Sequence, residues 1–309
     1  MRLVFMGTPA AAVPSLERLV ADGNEIAAVY TQPDRPSGRG NKISFSAVKQ
    51  SAIDRGLPVL QPTKVRTAEA LTEFRSHNAD AAIVVAYGRI LPETFLTAFP
   101  RGAINVHFSL LPKYRGAAPV NWAVVNGETT TGVTTMKMDA GLDTGPILLQ
   151  RSVEIGREET SIQLMERLAP LGAGLLSETL SRIEELEPII QDGSKATLAP
   201  IMSRDDGLVD WQMPAQQIVD RIRGFQPFPA AFSFHQGNRL RFWKGEAALE
   251  SSGAPGSVVA ASGDELIIAC ASGSALKVLE LQPEGKRRMN VRDFLNGGGI
   301  AVGDILGSS

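Results

Sequence analysis

An alternation of short apolar runs with helix-like segments constrains the fold of this chain more than any other feature. Residues 2–6, 26–31, 58–60, 81–85 and 103–106 read as strands, and residues 14–20, 47–55 and 68–77 between them read as helices by their apolar spacing. That order predicts a parallel sheet covered on both faces. Further strands are expected at 129–138 and 147–153. A helical stretch over 161–186 follows, which Pro170 and Gly172 should bend or break.

The pattern then changes. Residues 187–207 are rich in Pro, Gly, Ser and Asp and lack periodicity, as a connection between domains does. Beyond them come one helix over 214–223 and short β-like runs at 231–235, 240–243, 257–260, 266–269 and 276–281. Gly-containing turns separate these runs, which predicts a small barrel. The expected architecture is an α/β domain with a doubly wound, mostly parallel sheet at 1–189, a linker at 190–206 and a small β-barrel domain at 207–309.

A composition of 43% hydrophobic and 21% charged residues in 309 allows each domain its own core. No run approaches the roughly 18 apolar residues of a membrane span. Residues 1–7 begin directly on a strand-like run, with no basic flank or cleavage site, so no secretory leader is expected. The single cysteine, Cys270, excludes an internal disulfide framework and points to a reducing cytoplasm. With a formal charge of −2, any contact with nucleic acid must come from local basic clusters.

Two common chemistries find little support. The turn Gly7-Thr8-Pro9 stands where a dinucleotide-binding fold carries its spaced glycines, but it has only one, so a tight strand-to-helix turn is an adequate reading. His77, His107 and His235 are scattered and none belongs to a His/Cys ligand pair, so no metal is expected. His77 and His235 read as structural.

His107 differs because of its company. Asn105-Val106-His107 ends an apolar run just before the Pro-containing loop Ser109-Leu110-Leu111-Pro112, which puts an amide and an imidazole at a strand terminus, where polar groups usually face a cleft. Asp143 sits in the glycine-bracketed loop 139–145, which taken alone is a turn. Folded over the strand end, Asp143 would meet His107, raise its pKa and fix its orientation. Asn, His and Asp together suit acyl transfer to an amine. Amide and imidazolium donors would stabilise the oxyanion while the carboxylate supports proton removal. The amine is itself the nucleophile, in keeping with a chain that has no Gly-x-Ser-x-Gly elbow.

Residues 31–42 form a connection much longer than the usual about two to six residues. Arg35, Arg39 and Lys42 within it give either a cationic finger for phosphates or a solvated loop. Arg239, Arg241 and Lys244 lie near Trp243, and Lys286-Arg287-Arg288 forms a basic run. Arg239 and Arg241 share one strand face, which is how a barrel presents charge to a nucleic-acid backbone.

Together, Asn105-Val106-His107 with Ser109-Leu110-Leu111-Pro112, Arg115-Gly116-Ala117-Ala118-Pro119 and Asp143 within 141–145 resemble the signature of the 10-formyltetrahydrofolate-dependent formyltransferases, in the methionyl-tRNA formyltransferase branch. The likeness covers essentially the whole chain, including residues 223–229 and 282–289. It implies catalysis by Asn105, His107 and Asp143, and a barrel like an oligonucleotide-binding fold. It implies a folate pocket lined by Ser109, Leu110, Leu111 and Pro112, and shaped by Val85, Ala86, Tyr87 and Gly88. The partner implied is initiator methionyl-tRNA, held by Arg35, Arg39, Lys42, Arg239, Arg241, Lys286, Arg287 and Arg288 and formylated for translation initiation. No tightly bound cofactor is implied, 10-formyltetrahydrofolate being a co-substrate of a monomeric enzyme. Phe108 departs from the glycine that many relatives carry, and should narrow the pocket or shift the His107 backbone.

A nucleotide-sugar amine formyltransferase, a purine-pathway formyltransferase and a formyl-folate hydrolase could share the Asn-His-Asp core. An RNA-binding protein with a decayed catalytic domain is the alternative from another class. The purine type would lack the C-terminal barrel and the sugar type would not need the Gly38-Arg39-Gly40 finger, which should decide among the enzymes, while intact Asn105, His107 and Asp143 argue against a decayed domain. Arg39→Ala is expected to slow transfer to tRNA while leaving folate affinity nearly unchanged. Equal loss of both, measured by steady-state kinetics and folate titration, would refute the finger's role.

Overall fold

The computed structural model describes residues 1–37, 42–249 and 253–307. The predicted alternation folds into a 7-stranded sheet. Across it the strands run Ile147–Glu154, Thr130–Lys137, Ala103–His107, Ala81–Val85, Arg2–Gly7, Glu25–Tyr30 and Val59–Leu60. From Ala103–His107 to Val59–Leu60 neighbours pair in parallel, and the two remaining strands join antiparallel. Ala81–Val85 and Ala103–His107 are buried at every position, as strands covered on both faces must be.

Strand order reverses between Arg2–Gly7 and Ala81–Val85, which opens a crevice at the carboxyl ends of the strands. Gly7 pairs with Val85, and Val84 with Asn105. The first turn, the loop after Val85 and the Asn105–His107 strand end therefore share one rim.

The helix Ser161–Ser181 runs on through Pro170 without the break that was one of the two outcomes expected there. Leu168 and Ala169 before it, and Ala173, Leu175 and Leu176 after it, are all buried. That packing outweighs the lost backbone bond. Gly172 has a different purpose. A Cβ there would lie 3.0 Å from Val106 Cγ1 and 3.3 Å from Phe108 Cε1. The Phe108 ring is buried against the bare face of this helix, so it is accommodated within the core rather than at the rim.

The chain forms two compact units that are not continuous in sequence. One comprises Met1–Pro119, Thr130–Glu154 and Met165–Ala199, the other Val120–Thr129, Ile155–Leu164 and Pro200–Ser309. Residues up to Ala199 join the first unit although 190–206 read as a linker. Leu198 and Ala199 pair in parallel with Arg115 and Gly116, a ladder too short to leave any periodicity in the sequence.

In the second unit the antiparallel order is Ala231–His235, Asn238–Leu249, Ser274–Pro283, Glu265–Ala269 and Val258–Ser262. The end strands are joined by residues 304–307. Phe234 and Gly307 exchange backbone bonds of 2.9 and 3.0 Å, while Val258 N donates to Asp304 O and Leu306 N to Gly256 O, each at 2.8 Å. This closure protects both sheet edges, as a small barrel requires. Ile218 and Ile222 of the helix Ala215–Gly224 pack into the core with Trp211, Phe242, Leu276 and Val278. Phe242 is fully buried, with its ring centroid 5.9 Å from that of Trp211. Phe242→Ala should cost about 3–5 kcal/mol of stability, read as a lowered urea midpoint. A loss under about 1 kcal/mol, typical of a surface change, would contradict this core.

Candidate active site

Ala103–His107 places Asn105 and His107 at its carboxyl end, and Asp143 comes over them from the loop before Ile147–Glu154. Their convergence is direct: His107 Nδ1 lies 3.7 Å from Asp143 Oδ2. The imidazole is buried, and its Nε2 is 2.9 Å from the Tyr114 carbonyl oxygen. A carbonyl can only accept, so Nε2 carries the proton and Nδ1 offers a lone pair on the Asp143 side. The Asn105 amide makes no side-chain hydrogen bond among the described residues, and so remains available to a substrate.

Burial lowers the His107 pKa below its ordinary 6.5, although Asp143 and the Tyr114 carbonyl both push it upward. The expectation of a raised pKa thus fails on balance, because desolvation of a buried ring outweighs a carboxylate that lies beyond hydrogen-bond distance. Orientation, also assigned to Asp143 from sequence, comes from Tyr114. His107 is therefore neutral at pH 7, an acceptor rather than an imidazolium donor.

A frame of polar contacts holds these groups. Asp143 Oδ2 accepts from Gly116 N at 2.8 Å. Gly116 has φ +122°, and a Cβ there would fall 2.6 Å from Ala199 O, so only glycine fits. Gln191 Nε2 donates to Asp143 O and Gly145 O at 2.8 and 2.7 Å, while its Oε1 accepts from Arg115 Nε and Nη2 at 3.1 and 2.7 Å. Tyr114 N donates to Thr197 Oγ1 at 2.9 Å. Sequence reading missed Gln191 and Thr197 because they lie in the stretch taken for a linker. Arg115 and Gly116 belong to the motif at 115–119, and these contacts give them their role.

The expected folate-pocket residues lie along the same rim. Ser109 is fully buried; its Oγ donates to Lys113 O at 2.7 Å and its carbonyl accepts from Thr134 Oγ1 at 2.6 Å. Leu111 N donates to Thr134 Oγ1, and Leu111 O accepts from Gln150 Nε2. These bonds fix the loop shape and occupy most of the polar backbone expected to meet a ligand. Leu110 and Pro112 are half-buried. Across the rim, Val85 and Tyr87 are buried while Ala86 and Gly88 are exposed, both with positive φ.

Gln32 ties the root of the long connection to this rim, its Nε2 donating to Tyr87 O at 3.0 Å. Lys49 and Gln61 hold Asp34 beside it and keep that carboxyl below its usual range. Arg35 is exposed just beyond; Arg39 lies outside the described residues, as does the Lys42 side chain. Arg239 and Arg241 are half-buried on the barrel, and Lys286, Arg287 and Arg288 are exposed. His77 bonds Tyr30 Oη and His235 bonds Asp304, each at 2.9 Å, which are structural pairings. Burial pushes the Cys270 thiol up to about 11, which leaves it unreactive. Among the described residues no group of three or more His, Cys, Asp or Glu could hold a metal.

A family model described as formyl transferase matches residues 1–180, and one described as formyl transferase, C-terminal domain, matches residues 201–299. A methionyl-tRNA formyltransferase of Caldanaerobacter subterraneus subsp. tengcongensis is 49% identical over 309 residues, covering 99% of this chain and 100% of that protein. Another, from Solibacter usitatus, is 49% identical over 310 residues and covers 99% of each. A sugar 3N-formyl transferase solved with dTDP and 5-N-formyl-THF superposes with TM-score 0.67 at 19% identity, over 93% of this chain and 99% of the other. An N-formyltransferase from Helicobacter canadensis, in complex with folinic acid and dTDP-3-aminofucose, gives 0.66 at 21% over 89% and 98%. These two structures share the fold.

The neutral imidazole sets a pH expectation. Its buried state is stable above its depressed pKa and is lost as pH falls through it, because the unfolded ring takes up a proton more readily. In an NMR titration His107 should protonate below pH 6.5. Asp143→Asn should lower that midpoint further; a midpoint that rises instead would show the carboxylate is not acting on the ring.

Proposed function

The chain belongs to the formyltransferase family, and from that premise we propose that it transfers the formyl group of 10-formyltetrahydrofolate to the α-amino group of initiator methionyl-tRNA. The products are N-formylmethionyl-tRNA and tetrahydrofolate. The observation that carries the reaction class is His107 Nδ1 facing Asp143 Oδ2 at 3.7 Å beside the unengaged Asn105 amide. The choice of acceptor rests on likeness, at 49% identity over 99% of the chain, to a relative named for methionyl-tRNA.

The uncharged amine attacks the formyl carbon, and the carbonyl electrons move onto oxygen, where the Asn105 amide donates to the oxyanion. The new N–C bond leaves a cationic nitrogen, whose proton passes to His107 Nδ1. Asp143 stabilises the resulting imidazolium across the short gap. Collapse of the tetrahedral centre breaks the bond to folate N10, which takes the proton back from the His107 imidazolium as it leaves, so that the ring ends neutral. This gives His107 the part of proton acceptor, while the oxyanion falls to Asn105.

The Val85–Gly88 and Ser109–Pro112 segments form the folate side of the rim, with Leu110, Pro112, Ala86 and Gly88 the accessible members. Arg35, Arg39 and Lys42 meet the acceptor end of the tRNA, and Arg239, Arg241 and Lys286 to Arg288 its backbone, with affinity that falls as salt rises. The enzyme works as a monomer in the cytoplasm. Among the described residues no helix is long and apolar enough to cross a membrane.

His107→Ala should lower kcat by about 10²–10⁴, and Asn105→Ala by about 10²–10³, with folate affinity kept in both. The assay is formyl transfer from 10-formyltetrahydrofolate to charged initiator tRNA. Undiminished turnover in either variant would remove that residue from the chemistry.

A further inference from the structure

Alternation along Ala231–His235 turns Ala231, Ser233 and His235 inward and leaves Phe232 and Phe234 on the outer face. Across the hairpin Phe232 stands opposite Arg241, and Phe234 opposite Arg239. The barrel therefore carries two aromatic rings and two guanidinium groups on one outward patch, where none of them serves its core. Of these, Phe232, Arg239 and Arg241 join Arg204, Phe228 and Pro229 in lining a cavity of about 320 Å³. A second cavity of about 310 Å³ involves the same two arginines and is bounded by Gln282, Pro283, Glu284 and Gly285.

The arginines differ in how they are engaged. Arg239 lies over the Phe232 ring at 5.7 Å and pairs with Glu284 at 3.9 Å. Arg204 and Arg241 have no side-chain hydrogen bond or ion pair among the described residues. By contrast Arg18, Arg55, Arg151, Arg182 and Arg288 each meet a carboxylate. Phe228, bordering the same cavity, is 46% exposed. Two free cations beside an open aromatic face are suited to a ligand that is anionic at one end and flat at the other.

We propose that this cavity is a subsite for one unstacked nucleotide of RNA, its base lying on Phe228 and its phosphate between Arg204 and Arg241. The assignment rests on the tRNA-acceptor reading above and adds to it a place where a single base leaves its stack. Arginine forks suit phosphate oxygens, and an aromatic ring accepts any base, so the contact is strong and tolerant of sequence. A cavity of this size lies at the small end of those that hold small ligands. A phosphorylated peptide would use the arginines but leave the ring face idle, which favours the nucleotide.

The test is fluorescence anisotropy of the full-length protein with uncharged initiator tRNA and with a blunt RNA duplex that has no unpaired nucleotide. Phe228→Leu should weaken tRNA binding roughly tenfold with an unchanged salt slope, and Phe228→Trp should preserve it. Arg241→Gln should weaken binding and reduce the slope by about one. Duplex binding should be indifferent to the residue at 228. Equal weakening by Leu and Trp would mark the ring as structural and overturn the subsite. So would parental tRNA affinity in Phe228→Leu, or a phosphoserine peptide that displaces the tRNA more effectively than a single-stranded oligonucleotide. Formyl transfer is followed in parallel. An active parent whose variants bind normally refutes the subsite alone, whereas Phe228-dependent binding with an inactive parent refutes the acceptor reading alone.

Discussion

The commitment of one imidazole nitrogen to a backbone carbonyl governs the chemistry of this molecule. Once His107 Nε2 donates to Tyr114 O, the tautomer is settled and the remaining lone pair has one direction to face. The bond requires Tyr114 to be held in place, and its φ of +60° is one that an aromatic residue rarely adopts. Thr197 supplies the restraint from both sides, accepting from Tyr114 N at its hydroxyl and from Arg115 N at its carbonyl.

Desolvation and charge act in opposite directions on that ring, and the outcome depends on distance. Were Asp143 to hydrogen-bond Nδ1 directly, the ring would tend to stay charged and could not receive a proton. At 3.7 Å, with its Oδ2 already held by Gly116 N, the carboxylate is close enough to stabilise a charge that forms later, yet does not hold one in advance. Gln191 sets this spacing by gripping the backbone on both sides of the loop, at Asp143 O and Gly145 O. A side chain far along the sequence thereby fixes the offset of the acid from the base.

Much of this was legible in the sequence, for a physical reason. Parallel strands buried on both faces must be nearly all apolar, so Ala81–Val85 and Ala103–His107 announce themselves, and a polar residue ending such a run stands out at once. Asn105 and His107 could be named on that basis, whereas Asp143, in a loop that alone reads as a turn, was singled out by the likeness of residues 141–145 to the family signature. The sign of the His107 shift could not, because desolvation depends on how completely the ring is enclosed, and no local pattern records that. Gln191 and Thr197 were hidden because single side-chain contacts, beside a ladder of only two residues, leave no periodicity in the sequence. No break occurs at Pro170, because a local rule about helix interiors was overridden by packing. Phe108 raised concern over a pocket when its accommodation lay in Gly172, a partner distant in sequence and adjacent in space.

The manner in which the barrel closes bears on how the chain reaches its native state. Its two outer strands are joined through residues 303–307, which bond Phe234 on one side and Gly256 and Val258 on the other. Without that segment Phe234 and Val258 lose backbone partners at the two sheet edges, and the ordering entropy of a long loop must be met before closure rewards it. The vulnerability to self-association therefore belongs to the second unit, whenever this closing segment detaches from the two edges it covers.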